Sequence, residues 1–366
     1  MTALFSPLDL RETSIPNRVM VSPMCQYSCE QRDGLATEWH RTHLGSRAVG
    51  GAGLVMSEAT AVEPRGRISP EDLGIWSDEH AEALEPITEF IREQGSVPGI
   101  QLAHAGRKAS TSRPWEGHGP VAPADGGWTV VGPTDESWPY DGEAPRTERL
   151  TPEDIESVVE SFRTAAERAL AAGFEVAEVH AAHGYLIHEF LSPVTNTRGD
   201  AYGGGFEGRT RLAREVTEAV REVWPDEKPV FVRISATDWL PDRESWTVAD
   251  SVRLADRLAD IGADLIDVSA GGIHPESSPE QTGPNYQVRY AERVREETDR
   301  EVAVGAVGGI TTPEQAEAIV ANGRADMAIV GREHLRDPYF GLRAAEALDA
   351  TDEIEGPPQY RRAFGF

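Results

Sequence analysis

The sequence predicts an α/β protein of the TIM (β/α)8 barrel class, with a long excursion after its third strand and an extended C-terminal tail. Three observations carry this prediction. Eight short apolar runs recur along the 366 residues: Val19–Ser22, Leu54–Ser57, Gly99–Leu102, Val176–Val179, Val230–Ser235, Leu265–Ser269, Val302–Val307 and Met327–Val330. They are partly continuous rather than alternating, as strands buried on both faces are. Most are followed by a helical pattern, and polar residues suited to chemistry stand at the ends of several different runs, the place a barrel puts them. A doubly wound sheet uses the same units, but a count of eight favours the barrel.

The helical segments are legible in order. Thr151-Pro-Glu-Asp opens a helix with an N-cap residue, a proline at the first turn and acids behind it, and the helix closes at Ala172-Gly173. Phe206–Trp224, Val248–Gly262, Pro313–Gly323 and Pro338–Leu348 read as further helices. Residues 103–150, between the third strand and its helix, make a connection far longer than usual and are rich in Gly, Pro and Ser. Connections of this length are functional lids or disordered, and Trp115, Trp128, Trp138 and Tyr140 favour a lid. Residues 349–366 form a polar linker and then the stiff segment Pro357-Pro-Gln-Tyr-Arg-Arg362.

Composition excludes several classes. No apolar run approaches the ~18–20 residues of a membrane-spanning helix, and the first residues lack the pattern of a signal peptide, so a cytoplasmic protein is expected. Cys25 and Cys29 cannot build a disulfide framework or, with any neighbour, a metal cluster; free thiols are expected. A formal net charge of −27 opposes nucleic-acid binding. Of 35 basic residues only Lys108 and Lys228 are lysine. Excess acid with almost no lysine is expected of a protein from a halophile, kept folded by salt that screens its self-repulsion.

His180-Ala-Ala-His183-Gly-Tyr185 follows the apolar stretch that ends at Val179. It delivers two imidazoles and a phenol at the end of a strand. Neutral imidazoles can grip an oxygen that gains negative charge, and a phenol can give up a proton. The same residues also read as a packed core histidine and a tyrosine capping a helix; a metal site lacks a third ligand at convincing spacing. Gly308-Gly309 after the seventh run, and Gly331-Arg332 after the eighth, read as a phosphate cradle, because glycines let backbone N–H groups approach an anion. The cradle does not say which molecule carries the phosphate.

These motifs together resemble the Old Yellow Enzyme family, and within it the shorter, thermophilic-like branch. The resemblance rests on Ser22-Pro-Met-Cys-Gln-Tyr27, Glu58-Ala-Thr60, Gln101-Leu-Ala-His-Ala-Gly-Arg-Lys108, His180 through Leu191, Asn196 through Gly204, Val232-Arg-Ile-Ser235, the two glycine loops and Gln359-Tyr-Arg-Arg362. It implies one FMN-binding barrel domain over residues 1–366. Ser22, Pro23, Met24 and Cys25 are implied to line the flavin ring, with Ala59, Gln101 and Arg233 at its polar edge. Gly308, Gly309, Gly331 and Arg332 are implied to hold the FMN phosphate, and Cys25 to tune the flavin's potential.

The implied reaction is reduction of FMN by NADPH or NADH, then of the C=C bond of an α,β-unsaturated carbonyl compound. In it His180 and His183 hold the carbonyl oxygen, Tyr185 donates the proton, and Tyr27 and Lys108 line the substrate pocket. The implied assembly is a homodimer, possibly stacked into a tetramer, whose tail carries Arg362 into the neighbouring subunit's site; Tyr360, Phe364 and Phe366 would bury rings at that interface. Two departures stand out: the chain ends Arg361-Arg362-Ala-Phe-Gly-Phe366 where the branch often has Arg followed by Gly and Trp, and its excursion is longer than in the shortest relatives. Two other readings use the same residues: a phosphosugar lyase or isomerase with Lys108 as a Schiff-base lysine, and a flavin-binding protein without turnover.

Overall fold

Eight parallel strands close into a barrel in the computed structural model, which describes residues 2–364 apart from 141 and 143. In chain order they are β1 (Val19–Val21), β2 (Leu54–Ala61), β3 (Val97–Ala103), β4 (Val176–Ala181), β5 (Val230–Ser235), β6 (Leu265–Ser269), β7 (Ala303–Val307) and β8 (Met327–Val330). Each pairs with the next, and β8 pairs with β1. Every residue of β2 to β6 is buried. That is why these strands read as continuous apolar runs. Several polar residues lie buried inside them, among them Gln101, Glu178, Arg233 and Asp267.

The lower barrel is apolar. Met20, Leu54, Val176, Phe231, Leu265 and Met327 form its filling. An antiparallel hairpin, Leu8–Leu10 with Thr13–Ile15, plugs that end through Leu8 and Ile15. With the bottom filled and closed, only the C-terminal strand ends are left to carry a site.

The outer helices are α1 (Glu38–Val49), α2 (Asp78–Glu93), α3 (Pro152–Ala171), α4 (Arg211–Val223), α5 (Val248–Asp260), α6 (Val288–Glu297), α7 (Pro313–Ala321) and α8 (Phe340–Ala347). Thr151 caps α3 through a reciprocal box with Asp154, as the sequence predicts. Two expected helices are shorter. Phe206–Trp224 divides into a turn at Phe206–Arg209 and α4, because the turn folds tightly on the glycine loop before it: a Cβ on Gly208 would stand 2.1 Å from the Gly203 carbonyl oxygen. Pro338–Leu348 begins as a helix only at Phe340, since Asp337 precedes a proline and is extended (ψ 93°).

Residues 103–150 are ordered where described. They contain helical turns at Gly106–Lys108, Pro114–Glu116 and Pro123–Asp125 and a small parallel pair, Val130–Gly132 with Thr147–Arg149. The buried Arg198 guanidinium donates to the carbonyls of Pro133 and Leu150, each at 2.8 Å, and so ties both ends of that pair down. The tail forms turns at Pro358–Tyr360 and Arg361–Phe364; Phe366 lies outside the described residues.

Candidate active site

The turn after β4 sets the geometry. His180 ends the strand buried in the barrel mouth. His183 (φ +61°) and Gly184 (φ +75°) then both take left-handed backbone, which costs His183 free energy unless its surroundings hold it. Three side chains do so. His183 N–H donates to Ser235 Oγ at 2.9 Å, and Gly184 N–H donates to His188 Nδ1 at 2.8 Å. Lys108 Nζ donates to the His183 carbonyl at 2.7 Å and to the Gly272 carbonyl at 3.1 Å. Because His188 Nδ1 accepts, its Nε2 carries the proton and donates to Asp238 Oδ1 at 2.9 Å. Only glycine fits at 184: a Cβ there would lie 2.1 Å from the Gly272 carbonyl oxygen.

This turn brings three rings together. The His180 ring packs edge-on to His183 (centroids 5.3 Å apart) and to Tyr185 (5.2 Å). Burial first, and the Arg233 charge next, hold both imidazoles well below the usual histidine range. They are neutral at pH 7 and offer N–H donors without a charge. His183 Nε2 lies 2.7 Å from Ser269 Oγ, while buried His180 Nδ1 has no partner in the protein. Burial likewise raises the Tyr185 phenol well above its ordinary range, so it keeps its proton. Tyr185 takes the N-cap position of the helix Leu186–Leu191, but its side chain makes no cap, so the two readings of this residue meet: position from the helix, a ring left for the pocket.

Opposite stands the loop after β1. Gln26 N–H donates to buried Glu58 Oε2 at 2.7 Å, and His40 Nε2 lies 3.2 Å from Glu58 Oε1. This grip fixes Tyr27, itself at φ +51°. Cys25, Tyr27 and Tyr185 pack on one apolar patch with Ala59. Both cysteines are free thiols; burial, with Asp72 and Glu58 nearby, pushes the Cys25 thiol up. Arg233 Nη1 donates to Ser22 Oγ at 3.2 Å, and Gln101 Nε2 to Glu178 Oε1 at 2.8 Å. Lys108 reaches the pocket through its stem, with its ammonium 4.9 Å from the Tyr185 ring centre and 4.6 Å from that of Trp138.

Next to these groups a cleft of about 730 Å³ is lined by Met24, Ser269, Gln287, Gly308, Gly309, Gly331 and Arg332. Gly308 (φ +116°) and Gly309 (φ +74°) admit no side chain: a Cβ would meet Gln287 at 2.8 Å and the Gly283 carbonyl oxygen at 2.5 Å. The residues fit an FMN. The glycine cleft suits a phosphate, and the unpaired buried His180 Nδ1 lies at the barrel mouth beside it, with the Arg233 guanidinium close by on the neighbouring strand. Only Arg362 stands apart. The tail shares a groove with Asn17, Ala52 and Ser96, just ahead of β1, β2 and β3, on the barrel face opposite this site. Tyr360 packs there on Tyr339, ring centres 5.7 Å apart, and Arg362 is exposed.

Residues 3–351 match the model of the NADH:flavin oxidoreductase / NADH oxidase family. The chain belongs to this family. It is 47% identical over 361 residues to an NADPH dehydrogenase of Bacillus licheniformis, covering 99% of this chain and 98% of that protein. Over 365 residues it is 45% identical to an NADPH dehydrogenase of Geobacillus thermodenitrificans, covering 100% of this chain and 99% of that protein. Among solved structures it is similar to the old yellow enzyme homologue of Zymomonas mobilis (TM-score 0.76, 26% identity, 99% of each chain). It is also similar to morphinone reductase in complex with tetrahydroNAD (TM-score 0.75, 28% identity, 97% of this chain and 93% of that one). The protein is therefore an FMN-dependent NAD(P)H oxidoreductase of the Old Yellow Enzyme type, on the TIM barrel that its sequence predicts.

Sequence reasoning gave no role to Ser235, His188, Asp238, Ser269 or Gln287, which build the turn or line the cleft. Ser235 and Ser269 were legible as polar ends of apolar runs. His188 and Asp238 lie 50 positions apart and carry no pairing signal.

Proposed function

We propose that this enzyme is an ene-reductase that takes hydride from NADPH and reduces the activated C=C bond of α,β-unsaturated carbonyl compounds. The observation that carries this reading is the neutral pair His180 and His183 beside a protonated Tyr185. FMN, when bound, supplies the hydride chemistry. The protein supplies the rest. His180 and His183 donate hydrogen bonds to the substrate's carbonyl oxygen and strengthen as it gains charge. Tyr185 delivers a proton to Cα, and Tyr27 bounds the pocket. Ser22, Pro23, Met24, Cys25, Ala59, Gln101 and Arg233 hold the flavin ring, and Gly308, Gly309, Gly331 and Arg332 hold the phosphate through backbone N–H groups and the guanidinium. The described part of the excursion after β3 covers the pocket, with Trp138 over the Lys108 ammonium.

The tail supports a homodimer. It leaves on the barrel face opposite the site, so Arg362 reaches a substrate pocket only in another subunit. No helix among the described residues is long and apolar enough to cross a membrane, and we assign the enzyme to the cytoplasm of a halophile on its charge. Lys108 speaks against a Schiff-base lyase, since its ammonium is spent on two backbone carbonyls. The test is stopped-flow on each half-reaction for Tyr185→Phe. Reoxidation by an enone should slow by ~10²–10⁴-fold, the range of a positioned general acid, while reduction by NADPH stays intact. Equal losses in both halves would defeat the assignment, and a flavin reduced by NADPH but never reoxidised by any enone would defeat the reaction.

A further inference from the structure

We propose that Glu178 and Asp267 form a buried acid pair that shares one proton, positions Arg233, and, where that proton has been lost, recovers it from solvent when the bound cofactor is reduced. The inference rests on the reading that Arg233 serves the flavin. Parallel registers bring the groups together: Asp267 on β6 stands beside Arg233 on β5, and Arg233 stands beside His180 on β4, one pleat above Glu178. Both carboxyls are fully buried at 0% exposure. Glu178 Oε1 accepts from Gln101 Nε2, but Glu178 Oε2 and both oxygens of Asp267 have no donor. The single cation is Arg233, whose Nε lies 3.4 Å from Asp267 Oδ2.

Two ionised acids facing one arginine would leave a net negative charge in a barrel interior that is otherwise apolar. Among the described residues, no other charged side chain faces the pair. β3 offers Gln101, β4 and β6 offer neutral His180 and Ser269 one pleat higher, and β1, β2, β7 and β8 offer Met20, Met56, Gly305 and Ile329. One proton between the carboxyls removes the excess charge and gives one of the orphaned oxygens a donor. Burial first, and the Asp267 charge next, push the Glu178 carboxyl up to about 8. Asp267 is raised by burial but pulled back by Arg233 and by a hydrogen bond from Glu178. The proton therefore sits on Glu178, and the anion on Asp267 faces Arg233 and holds it in place.

Hydride transfer to the cofactor brings two electrons and one proton, and adds one negative charge to the site. That charge raises the pair's proton affinity. At neutral pH the pair is already loaded and nothing moves. Where the oxidised enzyme has lost the shared proton, reduction draws one proton from solvent back to Glu178, and the charge of the site is unchanged. An ion pair with a merely structural role would take up none.

The experiment is the pH dependence of the holoenzyme's reduction equilibrium, measured against redox dyes. The equilibrium constant should fall tenfold per pH unit near neutrality, for one proton per electron pair. It should fall hundredfold per unit just above pH about 8, for two. Glu178→Gln, the isostere of the protonated acid, should fall tenfold throughout, and so should Asp267→Asn, which leaves one acid ionised against Arg233. Infrared spectra of the wild type provide a second measurement that needs no variant. They should show a protonated-carboxyl C=O band at neutral pH that fades as pH passes about 8. Absence of that band, a steep limb that survives in Glu178→Gln, or a wild type without a steep limb would each overturn the proposal. Failure of an enone to reoxidise the flavin would instead defeat the ene-reductase reading, and the infrared band and the steep limb would still decide the pair.

Discussion

Replacing Lys108 with methionine removes the clamp on the turn after β4 while keeping most of the buried stem. Lys108 Nζ satisfies two carbonyls, those of His183 and Gly272. Leaving one buried acceptor unsatisfied costs ~1–3 kcal/mol. Water can reach part of this mouth, so the loss should be about 2–4 kcal/mol rather than the full sum. For a chain of this length that lowers Tm by roughly 3–5 °C, at about 1.3 °C per kcal/mol. The larger consequence is positional. His183 stays in left-handed backbone only while its carbonyl, its amide and the Gly184 amide are all held, and relaxation displaces both the His183 ring and Tyr185. A misplacement of ~1 Å costs on the order of 10²-fold in rate. Stopped-flow should therefore show enone reoxidation slowed about that much, with flavin binding retained, and phenol titration should show weaker binding. Reoxidation and phenol affinity both at wild-type levels would refute the argument that the clamp sets the turn. The pH sign also follows. Burial brings the Lys108 ammonium down to about 8 from its ordinary value of 10.5. Between those values the unfolded chain binds the additional proton, so the Lys108 contribution to stability rises with pH across that window and is smallest below it. The neutral amine still has two hydrogens for the two carbonyls, so the clamp itself persists. A wild-type-minus-Lys108→Met stability difference that shrinks from pH 8 to 10 would contradict the burial argument.

Simple phenols should give a long-wavelength charge-transfer band with the oxidised enzyme, and His180→Ala/His183→Ala should lose the band while retaining FMN; a full band in that variant would remove the imidazoles from the oxygen site. Gly309→Ala should weaken FMN at least tenfold, because the new methyl meets the Gly283 carbonyl oxygen at 2.5 Å in left-handed backbone; unchanged flavin affinity by fluorescence would take the loop out of the cradle. Dialysis from molar KCl into dilute buffer should lower Tm and release FMN, since the −27 net charge goes unscreened; an unchanged melting curve would end the halophilic reading. Mixing inactive Arg362→Ala and Tyr185→Phe subunits after dissociation and reassociation should restore part of the enone reduction; none, with subunit exchange demonstrated, would place Arg362 outside a shared site.

The sequence by itself determined the barrel. Strands buried on both faces have nowhere to put polar residues, so eight apolar runs announce themselves, and helix caps such as Thr151–Asp154 mark what lies between. It also marked Gly308 and Gly309 of the cleft, because only glycine tolerates backbone that close to its neighbours. The three rings of the proposed site were legible because His180, His183 and Tyr185 sit within six residues of one strand end. What the sequence could not decide was everything set by register and by loops meeting over the barrel mouth. Lys108 read as a residue at the mouth of the site, and the fold spends its ammonium on the carbonyls of His183 and Gly272, 75 and 164 positions away. His188 read as one more motif residue until Asp238 fixed its tautomer. Glu178 and Asp267 were visible as acids inside apolar runs, but only the order β4-β5-β6 brings them to one arginine. A strand's side chains alternate by local rule, whereas which two strands lie side by side is decided by the packing of the whole chain, and that packing made isolated polar residues into a site.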